Sequence, residues 1–387
     1  MTGEAATSAP RIFDGSDWHS GSAVIHRDGA VIGLAPASDL PDDLPVTSLD
    51  HGMLVPGFVD LQVNGGGGVL LNEMPSVEAI ETICAAHSRF GTTALLPTLI
   101  TDTRQRTEQA IAAATEALNR RVPGCLGLHL EGPHLSQARR GAHDPDLVRP
   151  ATDEDIERLV AAGNTIDNLL VTVASEAVSN DQIETLSHAG IKISLGHSDA
   201  SCETAVAAIL SGASLVTHLF NAMSPLGHRE PGMVGAALSQ PGVSAGLIAD
   251  GIHVDPASMG IAIRGKKGPG RIFLVTDAMS TIGSEQTSFT LNGRTVYRSE
   301  GRLTLEDGTL AGADIDMIAS VRVLVESLGL ELDEALRMAS LYPAEALGVG
   351  AEYGRLGDGS RADFVHLSDD LSVEQVWIGG GSVFQAG

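Results

Sequence analysis

The chain has 387 residues, 43% hydrophobic and 19% charged, with 24 basic against 49 acidic side chains and a formal net charge of −25. That length accommodates one large barrel and a small accessory domain. The acid excess argues against nucleic acid or an anionic membrane as partner, since both need a basic surface, but leaves open a small anionic substrate met by a few placed cations. No run approaches 18 uninterrupted apolar residues, so no membrane span is expected. The first residues, MTGEAATSAP, lack a basic stretch followed by an apolar one, and no signal peptide is expected. Cys84, Cys125 and Cys202 are odd in number and far apart, with no C-x-x-C pair. That pattern points to a reducing, cytoplasmic location rather than a disulfide scaffold.

In chain order, residues 11–55 are β-rich, with an Asp28-Gly29 turn between two short apolar stretches that reads as a hairpin. The tail, residues 355–387, has the same texture. Residues 1–54 and 355–387 are therefore expected to form one small β-sandwich-like domain, with residues 55–354 inserted between them.

The inserted stretch alternates apolar runs with helical patterns. The runs are Phe58–Val63, Thr93–Pro97, Cys125–Leu130, Leu169–Ala174, Lys192–Gly196, Ser214–Thr217, Ser244–Ala249 and Ile272–Thr276. Continuous short apolar runs fit strands buried on both faces. Between them, helices are expected over Ser76–Phe90, Thr103–Arg120, Thr152–Ala162, Ser179–Ala189, Asp199–Leu210 and Pro256–Arg264. The fold class is α/β, a (β/α)₈ barrel of the TIM type. Residues 284–310 read as β-hairpins inserted before a last helix, Ile315–Leu328.

Each apolar run stops at or just before a polar residue: Asn64, Thr98, Glu131, Glu176, His197, His218, Asp250 and Asp277. Polar groups at the carboxyl ends of barrel strands share one rim, where barrel chemistry takes place. A lone histidine among 13 is ordinarily surface or core. Glu131, His197, His218 and Asp277, each following an apolar strand, are a different matter. Two imidazoles and one carboxylate make a usual ligand set for a catalytic divalent metal, Zn²⁺ first, which lowers the pKa of bound water to about 7. Asp277 is placed to take a proton from that water and deliver it to a leaving group. The four glycines 65–68 fit either a backbone nest for an anion or a flexible turn.

In order, PGFVDLQVNG, HLEGP, GHS, THLFNAM, DGIHVD and VTDAMS resemble the motif set of the N-acetylglucosamine-6-phosphate deacetylases of the amidohydrolase superfamily, from about residue 52 to residue 350. The resemblance implies hydrolysis of the acetamide of N-acetyl-D-glucosamine 6-phosphate to glucosamine 6-phosphate and acetate. It implies metal ligands at Glu131, His197 and His218, an acid/base at Asp277, and a carbonyl-polarising histidine at His143. It implies substrate contacts at Ala142, Asn221, Ala222, Arg229, His253 and Ile315. Arg229 and His253 match residues that in some members act across a homodimer interface. Where many amidohydrolases carry His-x-His after the first strand, this chain has Gln62-Val63-Asn64, poor zinc ligands beside imidazole. One metal per chain is therefore expected, with Gln62 and Asn64 left as second-site or substrate contacts. Before the final helix, Asp314 and Asp316 fit either helix-start acids or a changed wall around the sugar. The alternatives are a deacetylase of another acetamido sugar phosphate, such as N-acetylgalactosamine 6-phosphate, or a non-catalytic assembly protein on the same barrel.

Overall fold

The structure, a computed structural model, describes residues 3–387. Its centre is a parallel barrel of β1 (Phe58–Val63), β2 (Thr92–Ile100), β3 (Leu128–Glu131), β4 (Leu169–Val173), β5 (Lys192–Leu195), β6 (Leu215–Val216), β7 (Ser244–Leu247) and β8 (Ile272–Leu274), paired in sequence order. All eight expected strands are present. The seam between β8 and β1 closes just past the strand ends. There the Asp277 N–H donates to the Gln62 carbonyl and the Asn64 N–H to the Ala278 carbonyl, each at 2.9 Å.

Beneath the seam lies fully buried Asp60, whose carboxyl burial pushes up to about 7. It accepts from the Thr276 hydroxyl at 2.5 Å and from the Gln62 and Thr276 backbone N–H groups at 3.2 Å. Asp60→Ala orphans these donors, at on the order of 1–3 kcal/mol for each group left unsatisfied. A lowered urea midpoint with an unchanged slope is expected; an unmoved midpoint refutes this role for Asp60.

The outer helices are α1 (Val77–Ser88), α2 (Arg104–Asn119), α3 (Asp153–Gly163), α4 (Asn180–His188), α5 (Cys202–Leu210), α6 (Gly232–Ser239), α7 (Pro256–Gly265), α8 (Met317–Leu328), α9 (Leu332–Ala339) and α10 (Leu341–Leu347). The helices expected to begin at Ser76, Thr103, Thr152 and Ser179 each begin one residue later, because those side chains are the N-caps. Thr152 with Asp155 and Ser179 with Gln182 complete capping boxes. The expectation that α8 is the last helix is wrong: α9 and α10 follow it. Asp316 caps α8 through the Ala319 N–H. Asp314 instead accepts from Arg298 and Thr281, tying down the inserted hairpins.

That insertion is a three-stranded antiparallel sheet, Ser288–Leu291, Arg294–Ser299 and Arg302–Thr304. Its turns, Asn292-Gly293 and Glu300-Gly301, take φ of 50° and 73°, then 51° and 72°, the left-handed pairs that two-residue hairpins favour. The glycines at 65–68 form a tight two-stranded ribbon, Gly65–Gly66 against Val69–Leu70.

The two chain ends together form one continuous eight-stranded sheet. Its order is 381–385, 373–378, 364–367, 53–56, 5–13, 18–27, 30–36, with 46–48 beside 5–13. The expected boundary at 54 falls inside the strand Met53–Pro56. Alternate residues serve two cores. Phe13, Met53, Val55 and Val365 join the main barrel core, whereas Ile12, Leu54, Phe364 and Trp377 form a cluster of their own. The three cysteines are free, and among the described residues no helix is long and apolar enough to cross a membrane.

Candidate active site

Glu131 is the last residue of β3. His197, His218 and Asp277 follow β5, β6 and β8 and take left-handed backbone, with φ of 47°, 30° and 52°. A non-glycine residue in that region costs on the order of 1–3 kcal/mol, so the barrel must impose these turns. Three of them at strand ends turn side chains toward one point.

The Nε2 atoms of His197 and His218 stand 3.0 Å apart. Glu131 Oε1 is 3.0 Å from the first and 3.1 Å from the second. Ligands around a tetrahedral zinc with bonds of 2.0–2.1 Å are about 3.3 Å apart, close to this triangle. His197 Nδ1 is 2.9 Å from the Arg139 carbonyl, to which it can only donate. Its Nε2 therefore carries a lone pair inward, the tautomer a metal ligand requires. The three residues fit a divalent metal.

His143 is a second neighbour of Glu131 and His197, with potential ligand atoms of the three within 4.8 Å of one another. Its hydrogen bonding decides against ligation. The Thr101 backbone N–H donates to His143 Nδ1, so Nε2 carries the proton. Burial holds the ring neutral by pushing its pKa down to about 3. His143 thus presents a neutral N–H donor, suited to polarising a carbonyl oxygen.

Burial alone would raise the Glu131 carboxyl, but the two imidazoles against it hold it well below the usual carboxylate range. Asp277 goes the other way, pushed up to about 6 by burial and by the Glu131 charge. The Gln62 amide lies between these acids, its NH₂ donating to Glu131 Oε2 and Asp277 Oδ1 at 3.2 Å each. Asn64 donates to the same Asp277 oxygen at 2.6 Å. Gln62 and Asn64 therefore orient the two carboxylates with their donor ends.

These groups face a cavity of about 530 Å³. Ala142, Asn221, Ala222 and His253 line it. His253 is held by a 2.5 Å bond from Nδ1 to Asp250. The Ala142 carbonyl is occupied by the Arg294 guanidinium from the inserted sheet. Two expected contacts lie elsewhere. Ile315 is buried in the barrel core and is absent from the cavity wall. Its backbone leads into α8, which turns the side chain inward. Arg229 sits on an exposed loop beyond Ala222, also outside the wall.

A family model described as the amidohydrolase family matches residues 53–383. The chain belongs to the amidohydrolase family. Among amidohydrolase relatives, an N-acetylgalactosamine-6-phosphate deacetylase of Shewanella sp. is 44% identical over 94% of this chain and 92% of its own length. An N-acetylglucosamine-6-phosphate deacetylase of Haemophilus influenzae is 37% identical over 91% and 92%. The solved N-acetylglucosamine-6-phosphate deacetylase of Pasteurella multocida superposes with a TM-score of 0.94 at 35% identity, covering 98% and 99% of the two chains.

Several groups around this amidohydrolase site escaped sequence reasoning. Thr101 and the Arg139 carbonyl set the two histidine tautomers, and Gly308–Gly312 with Leu291 form one wall. The wall was inferable: an insertion that directly follows β8 must rise from the rim where that strand ends. The carbonyl and threonine partners come from distant loops and leave no sequence signal.

Proposed function

We propose that this amidohydrolase is a metal-dependent deacetylase hydrolysing the acetamide of N-acetyl-D-glucosamine 6-phosphate to D-glucosamine 6-phosphate and acetate. The carrying observation is the convergence of Glu131 Oε1, His197 Nε2 and His218 Nε2 in one cavity with Asp277 and the His143 N–H. At this centre Glu131, His197 and His218 would hold one divalent ion, Zn²⁺ by ligand chemistry, which would supply Lewis acidity and make water more acidic. His143 Nε2–H donates to the acetyl oxygen. Asp277 takes the proton of the attacking water and passes it to the amine nitrogen. Ala142, Asn221, Ala222 and His253 hold the sugar, and Arg229 meets the phosphate with the planar donor fork suited to it. Its exposed loop favours a homodimer in which this contact crosses between subunits. Free cysteines support a cytoplasmic location.

One observation favours a second reading, the galacto epimer: the 44% identical Shewanella relative is named for it. The test measures acetate release from both 6-phosphate epimers and from unphosphorylated N-acetylglucosamine. The gluco phosphate should give the highest kcat/KM, and a higher value for the galacto phosphate selects the second reading. Arg229→Ala should raise KM for the phosphate substrate while leaving the unphosphorylated sugar unchanged. Equal losses on both reject the phosphate role.

A further inference from the structure

A second cluster of metal-ligating side chains stands in the small sheet, among residues the catalytic machinery does not use. His51, His366 and Glu374 bring one potential ligand atom each within 4.8 Å of one another. His51 Nε2 lies 2.9 Å and His366 Nδ1 3.1 Å from the same Glu374 oxygen, Oε2.

Both imidazoles are oriented from behind. His51 Nδ1 is held at 2.6 Å by Asp50 Oδ1. His366 Nε2 is 3.0 Å from the His51 carbonyl, to which it donates, so His366 Nδ1 faces Glu374 with its lone pair. Carboxylate or carbonyl support on the far ring nitrogen is how metal-binding histidines are fixed.

Glu374 reaches them because of a bulge. His366 pairs with Gln375 and Leu367 with Val373, leaving Glu374 as the extra residue between. A bulge re-aims a side chain. His366 is buried, while His51 is half exposed and leaves a path and a fourth position open to solvent.

We infer that His51, His366 and Glu374 form a second divalent transition-metal site, with zinc the fitting ion, separate from the catalytic centre. Two imidazole nitrogens and a carboxylate oxygen are zinc ligands, and the two nitrogen-to-oxygen separations, 2.9 and 3.1 Å, approach the roughly 3.3 Å of a tetrahedral ion. The ion joins strand 364–367, strand 373–378 and the segment entering strand 53–56, so it pins the two ends of the chain together. In its absence the cluster is a set of ion pairs, His51 bridging Asp50 and Glu374.

The test strips the full-length protein with chelator, reloads it with Zn²⁺, removes the excess by gel filtration and counts metal by elemental analysis. The wild type should hold two equivalents. His51→Ala and Glu374→Gln should each hold one and keep wild-type deacetylase activity. Glu131→Gln should keep the small-sheet ion while losing the catalytic one, which separates failure of this site from failure of the active-site reading. Asp50→Asn should weaken zinc at this site by roughly 10–100-fold. Folded His51→Ala holding as much zinc as the wild type overturns the inference. So does a wild type whose single equivalent disappears in Glu131→Gln.

Discussion

Asp277→Asn is expected to lower turnover by roughly 10²–10⁴-fold, the scale of general acid–base contributions, at unchanged metal content and substrate affinity. An amide is hard to cleave because its nitrogen departs poorly unless protonated, and a metal ion cannot supply that proton. Asp277 is half-buried beside Glu131, with one oxygen fixed by Asn64 and Gln62 and the whole group on the cavity wall. Asparagine preserves the shape and removes the basicity. Burial, reinforced by the Glu131 charge, pushes the Asp277 carboxyl up to about 6. The acting form is the ionised one, so activity is lost as pH falls through that value. A cation bound nearby stabilises the carboxylate and draws the acidic limb lower. The measurements are kcat and substrate affinity at matched metal occupancy, with a pH–rate profile of the wild type. Near-normal turnover of Asp277→Asn would transfer the shuttle to another group, His253 first.

Glu131→Gln should abolish deacetylation and empty the catalytic centre. The carboxylate is 2% exposed and, among the described residues, is the only anion touching both imidazoles. Losing a mere outer partner of a ligand typically costs 10–100-fold in affinity. Removing the one carboxylate of the proposed ligand set should cost more, because a neutral amide oxygen offsets none of the ion's charge. Metal content by elemental analysis and acetate release are the readouts. A variant that retains the catalytic equivalent and half its activity would show that His143 or Asp277 completes the ligand set.

The strands and the four strand-end groups were legible in the sequence because a barrel turns a local pattern into a position. An apolar run ending in Glu131, His197, His218 or Asp277 needs no tertiary knowledge to be placed on the rim. What stayed hidden depends on contacts across the fold. The Gln62 amide is a donor only because Glu131 and Asp277 flank it, and those lie 69 and 215 positions away. Helix α6 was missed because it opens at Gly232 after Pro231 and holds Gly235, residues that read as a loop. Ile315 was carried over by motif alone, and its side chain went to the core. The left-handed φ of His197, His218 and Asp277 could not be read from composition, since histidine and aspartate adopt it more often than most residues yet still rarely.

The small sheet also fixes an order of events during synthesis. Strand 53–56 lies between strand 5–13 and strand 364–367, so its second neighbour leaves the ribosome more than 300 residues later. Throughout that interval the nascent chain carries an unpaired strand edge made of Met53, Leu54 and Val55, apolar and open to other chains. The barrel strands form meanwhile from neighbours in sequence order. Chains stalled or truncated before residue 364 should therefore aggregate through that edge even when their barrel strands are complete.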